Sequence, residues 1–137
     1  MKNQKIVIRI TFEVLGSPKD HVEKTLKDYM DKLKAESGVN ITDLRIHDAI
    51  QQDNKLWSTF SEVELELDDV KKLTDICLDY LPSTLEILEP AGMEIDMDMF
   101  SESLNDLLAT LHKYTMTIKK LQSENIYMMK KLEGKIE

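Results

Sequence analysis

One cysteine, three histidines and four glycines in 137 residues leave this chain poor in the groups from which most enzymatic sites are built. Cys77 has no second cysteine to pair with. Its setting, Leu73-Thr-Asp-Ile-Cys-Leu-Asp-Tyr80, is a helical apolar pattern, which reads as a buried thiol in a reducing compartment and not as a nucleophile. His21, His47 and His112 fall in three different elements, and no two share a ligand spacing. HExxH, CxxC, GxSxG and a Gly-rich phosphate loop are all missing, so neither an enzyme nor a bound metal or cofactor is expected. The apolar runs stay far short of the roughly 18 residues that a membrane span needs, so no membrane partner is expected. Met1–Lys5 leads straight into strand-like sequence without a cleavage site, and the expected location is cytoplasmic.

Positive charge is also in short supply, with 18 Lys and Arg against 26 Asp and Glu and a net charge of −8. It is unevenly spread: residues 1–109 carry 12 basic and 23 acidic side chains, and residues 110–137 carry six and three. Phosphate-backbone binding needs clustered Lys and Arg, so no nucleic-acid partner is expected. Lys113, Lys119, Lys120, Lys130, Lys131 and Lys135 read as solvated charges flanking a helix seam.

What the chain does have is clear periodicity. Ile6, Ile8, Ile10, Phe12 and Val14 alternate with polar or outward positions, the period-two mark of a half-buried strand. Gly16-Ser17-Pro18 breaks it, with Ser17 expected as N-cap and Pro18 as the first helical residue. Val22, Leu26, Tyr29, Met30 and Leu33 then form the stripe of a first helix, which ends near Ser37-Gly38. A second strand is expected within residues 39–50, carried by Leu44, Ile46 and Ile50, before a polar turn at Gln51–Asn54. In the long third strand Trp57, Thr59, Ser61, Val63, Leu65 and Leu67 share one face, and Glu62, Glu64 and Glu66 mark the wet one. Asp68 or Asp69 caps a second helix that Pro82 stops, and Thr84–Glu89 is a fourth strand. This β-α-β-β-α-β order predicts an α+β head of ferredoxin-like type, a four-stranded antiparallel sheet with both helices on one face.

Met93, Ile95 and Met97 alternate with acids and read as a fifth strand or an extended arm. From Ser101 to about Leu132 the period turns helical, over roughly 50 Å. Leu104, Leu111, Ile118, Asn125 and Leu132 fall at heptad a positions, and Leu107, Tyr114, Leu121 and Met128 at d positions, which is a coiled-coil seam. Ile126 and Tyr127 lie at b and c, and Leu108 and Met129 at e, so the apolar surface is wider than a two-stranded seam requires. No ladder of g-to-e ion pairs fixes parallel pairing. The expected organisation is a head over residues 1–100 and a long coiled-coil helix over 101–137.

Three further features invite a functional reading. Gly16 and Ser17 stand where free N–H groups of a helix start can take an anion. Leu56 and Phe60 interrupt the wet face and, with Ile126 and Tyr127, form a candidate partner patch. The acids from Glu86 to Asp106, Asp96 and Asp98 among them, lack the glycine and loop spacing of an EF-hand and read as a solvated edge. The turn at Gly16-Ser17, together with the β-α-β-β-α-β order of residues 5–90, resembles the ligand-binding turn of ACT regulatory domains. The Asp-Arg-Pro-Gly-type run common in that family is missing. Val14-Leu-Gly-Ser-Pro18, Leu56-Trp-Ser-Thr-Phe60 and Leu104-Asn-Asp-Leu-Leu-Ala-Thr-Leu-His112 are similar to segments of small uncharacterised archaeal proteins, which imply no activity. The resulting expectation is a non-enzymatic interaction or scaffold protein that pairs with itself through the C-terminal helix, as a dimer or four-helix bundle, or holds another protein. An ACT-like small-molecule sensor is the alternative.

Overall fold

The structure, a computed structural model, describes residues 5–135. The lead-in residues 1–4 and residues 136–137, at the end of the expected helix, lie outside the described residues. Contacts divide the chain into two units, Met1–Glu94 and Ile95–Glu137.

The first unit starts with β1 (Ile6–Gly16), whose alternating residues Ile6, Ile8, Ile10 and Phe12 are buried. Next come α1 (Lys19–Lys34), β2 (Val39–Ile46), the two-residue β3 (Ile50–Gln51), β4 (Trp57–Leu67), α2 (Val70–Tyr80) and β5 (Thr84–Glu89). The strands run in the order β2-β4-β1-β5 with antiparallel neighbours, and β3 pairs with the start of β4. This is the ferredoxin-like α+β arrangement expected from the element order. Register follows hydrophobicity: Ile8 faces Leu65 and Ile87, and Ile10 faces Val63 and Leu85, so one face is apolar across three strands. Val22, Leu26, Met30 and Leu33 of α1 and Ile76 and Tyr80 of α2 are buried, all but Val22 in one core cluster with Val63, Leu65 and Leu67 of β4. Both helices therefore cover the same face of the sheet.

Two polar residues sit within that core, and both are satisfied: Thr59 Oγ1 donates to the His47 carbonyl at 2.6 Å, and Ser61 Oγ to Met30 Sδ at 3.3 Å. Asp69 caps α2, its side chain accepting from the Lys72 N–H at 2.9 Å. Gly38 has φ +76°, and a Cβ there would come within 3.1 Å of Asp68 Oδ2, so this turn requires glycine.

Several local expectations are corrected. Pro18, not Ser17, takes the N-cap position of α1, and its carbonyl accepts from the His21 and Val22 N–H groups. Proline has the extended backbone a cap needs, and its carbonyl opens the helical ladder without help from the Ser17 hydroxyl. Ile50 is not part of the second strand: the chain leaves the ladder after Ile46 and rejoins it as β3. Tyr29 is at the edge of the α1 stripe and partly exposed. Cys77 is half-buried, and that burial pushes its thiol pKa up, away from nucleophilic reactivity.

Residues 93–96, at the junction of the two units, add no strand, and in the second unit a single helix, α3 (Met97–Leu132), runs for 36 residues. It starts four residues before Ser101 because Asp96 caps it, Oδ1 accepting from the Asp98 N–H at 2.9 Å. Of the Met93–Asp98 alternation, Asp96 is the cap and Met97 and Asp98 enter the first helical turn, while Met93–Ile95 stay irregular.

Candidate functional site

Among the described residues α3 is the longest element, and it carries a stripe of exposed apolar side chains. Acids open the helix and Lys130 and Lys131 close it, each end matching the helix dipole. Gly134, at φ +73°, ends it with its N–H donating to the Lys131 carbonyl at 3.1 Å. Nothing breaks the ladder in between, so the 3-4 spacing becomes a continuous stripe about 50 Å long.

That stripe is uncovered. None of the residues of α3 is buried. Leu104, Leu107, Leu111, Tyr114, Ile118, Leu121, Met128 and Leu132 are all exposed, from 38% at Leu107 to 85% at Leu132, and Asn125 is exposed among them. Met97 and Phe100 extend the repeat by an a and a d position, a continuation hidden when the helix is started at Ser101. Leu108, Met116, Ile126, Tyr127 and Met129 are exposed off the seam.

Charge along this segment is polarised. Glu94, Asp96, Asp98, Glu102 and Asp106 are acidic without a Lys or Arg between them, whereas Lys119, Lys120, Lys130, Lys131 and Lys135 outnumber Glu124 and Glu133 further on.

The first unit offers smaller features. Gly16 closes β1, and Ser17 is exposed. The first turn of α1 that follows carries Asp20, whose charge opposes an anion at the N–H groups there. Just before this turn, Phe12, Val14, Leu26, Tyr29, Tyr80 and Leu81 line a cavity of about 320 Å³ that Gly16 and Ser17 do not reach. Its wall is an aromatic triplet with ring centroids 5.9–6.5 Å apart. Tyr80 donates through its hydroxyl to Glu36 Oε2 at 2.7 Å, and Lys72 Nζ meets Glu36 Oε1 at 2.8 Å. Burial, then the Glu36 carboxylate, raise the Tyr80 pKa, and the Lys72 hydrogen bond followed by that from Tyr80 holds Glu36 below the usual carboxylate range. Three elements contribute the rings, so no local pattern announces the cavity.

On the open sheet face Arg9 bridges Glu64 at 2.7 Å and Glu86 at 3.2 Å, which neutralises part of the acidic row. Phe60 is half-covered by the His47 ring stacked on it at 4.0 Å, and Leu56 lies outside the strand. Of the candidate patch, Leu56 and Phe60 belong to the first unit and Ile126 and Tyr127 to the second. Among the described residues no three His, Cys, Asp or Glu side chains group as metal ligands, and no helix is long and apolar enough to cross a membrane.

The MJ0538 family model matches residues 7–137, through both units, and this uncharacterised family takes its name from an archaeal protein, as the resemblance of the three segments implied. No curated protein and no solved structure matches the chain.

Proposed function

The chain belongs to the MJ0538 family, and from that premise we propose that it is a non-enzymatic interaction protein that assembles through α3. The observation that carries this reading is a 36-residue helix with an apolar seam and no buried residue. Scattered exposed apolar side chains are ordinary, but a contiguous stripe of this length costs solvation free energy until another surface covers it. A 3.5-residue repeat fits a second helix better than a sheet or a loop. The family match runs through the helix to residue 137, so the helix is part of what defines the family.

The Asp- and Glu-rich head is the element such an assembly displays, and the oligomer is a dimer or a four-helix bundle. Light scattering coupled to size-exclusion chromatography tests this: the expected mass is a multiple of 15.9 kDa, falling toward one chain on dilution. A monomer at all concentrations refutes self-association.

A second reading, a small-molecule sensor of ACT-like type, is favoured by the aromatic-lined cavity near the end of β1. A ligand there raises the melting temperature of the head whether or not α3 is present, so a thermal-shift screen against full-length and helix-deleted protein separates the two readings.

A further inference from the structure

We propose that the partner of α3 is α3 of a second copy running antiparallel, with the two-fold axis passing near Met116. This rests on the self-association reading and adds what that reading leaves open, the direction and register of the pair. Two observations carry it: where the heptad positions fall, and how charge is distributed along the helix.

In an antiparallel pair each a residue shares a layer with a d residue of the other helix. Aligned about residue 116, Leu104 meets Met128 of the second copy, Leu111 meets Leu121, Ile118 meets Tyr114, and Leu132 meets Phe100. All these residues are exposed in the single chain. The register overlaps the helices from Phe100 to Leu132, and within that overlap every layer is apolar on both sides except the one joining Asn125 to Leu107; Met97 falls opposite position 135, past the end of the second helix. Thr110, a g residue, falls beside Asn125 in that register and has a hydroxyl for the amide. At the flanking positions Thr110 lies across from Glu124 and Ser103 from Lys131, so no like charges face each other there.

Charge decides the direction. In a parallel pair Asp98, Glu102 and Asp106 of α3 lie level with the same three acids of the second copy, and Lys119, Lys120, Lys130 and Lys131 lie level with themselves. In the antiparallel pair Glu102 comes level with Lys130 of the second copy and Asp98 and Asp106 lie one turn to either side, so the ends of the helices are matched in charge, whereas Lys119 comes level with Lys113 in the middle. The helix dipoles also oppose. The Asn125 layer favours the parallel form, in which Asn faces Asn, but this is one layer set against mismatched charge at both ends. The antiparallel arrangement also places the two Met97 positions, where each acidic head joins its helix, at opposite ends of the pair.

Spin labels on full-length protein test this. In a Cys77→Ser background, a nitroxide is attached at Glu102→Cys, Met116→Cys or Lys130→Cys, and distances between copies are measured by pulsed dipolar spectroscopy. The expected result is the shortest distance at position 116, about 20–30 Å because this position faces away from the partner helix, and about 40–50 Å at both 102 and 130, from 1.5 Å per residue and an interaxial distance of about 10 Å. Distributions at 102 and 130 with no component at about 40–50 Å overturn the proposal while leaving self-association standing. A monomer in light scattering overturns the self-association reading, and this inference with it.

A charge swap gives an independent readout. Lys130→Glu/Lys131→Glu/Lys135→Glu weakens an antiparallel pair on the order of tenfold at low salt, and adding Asp98→Lys/Glu102→Lys/Asp106→Lys restores it. A parallel pair keeps like charge facing like charge in both variants, so the absence of weakening and rescue also overturns the proposal.

Discussion

Lys55 and Leu81 have positive φ without being glycine, at 66° and 48°. A Cβ is disfavoured in this region, and Lys55 is exposed in a turn closed by its own N–H to the Gln52 carbonyl at 3.0 Å. Lys55→Gly should therefore stabilise the head by about 0.5–1 kcal/mol in urea unfolding, the strain relief exceeding the added freedom of the unfolded chain. Leu81 ends α2 in the left-handed conformation but also lines the cavity, so Leu81→Gly should gain less. Glu36 is a second informative residue, because Lys72 and Tyr80 hold its carboxyl below the usual range. A depressed carboxyl binds fewer protons folded than unfolded, so its contribution is complete above the ordinary carboxylate pKa and is lost as pH falls through the folded value. Wild type should be more stable than Glu36→Gln at pH 7, and the gap should close in thermal melts toward pH 3. A gap independent of pH would show that shape, and not charge, matters there. These couplings join residues 36, 72 and 80 and could not be read from their neighbours in sequence.

The helices and long strands were legible because each carries its own period. β1 and β4 alternate over eleven residues each, and a one-residue slip would turn the whole apolar set to water. Short elements were not: β3 is two residues and exists only because β4 offers it an edge, and the start of α3 depends on a cap at Asp96 within a segment that also alternates. For α3 the expected outcome of Leu121→Ala is a shift toward monomer. Its half-exposed side chain gives a cost near the low end for buried leucine, about 2 kcal/mol per copy, or on the order of a thousandfold in the dissociation constant of a dimer. Asn125→Leu should raise the melting temperature of the assembly, because an apolar side chain replaces an amide within the seam. An unchanged oligomer mass for Leu121→Ala in size-exclusion chromatography with light scattering would place the interface off this seam.

For the whole molecule, the core cluster draws only on residues 6–80, and none of its members comes from α3. Residues 1–96 should therefore fold alone, with mixed α and β circular dichroism and an unfolding midpoint independent of concentration. An unfolded fragment would make α3 part of the head's stability. With a net charge of −8, and with its lysine surplus confined to the last part of the chain, full-length protein should bind duplex DNA only at low salt. Tight binding at physiological salt that survives deletion of residues 113–137 would contradict this.

Periodicity and the order of elements determined the fold class, the apolar face of each long element and the apolar stripe of α3, because each is written in residues a few positions apart. Tertiary structure alone decided the features that join distant residues: the aromatic cavity from β1, α1 and α2, the Arg9 bridge across three strands, the Tyr80–Glu36–Lys72 cluster and the half-burial of Cys77. Their partners lie tens of residues apart and meet only once the sheet has set its register, so no local pattern could carry them.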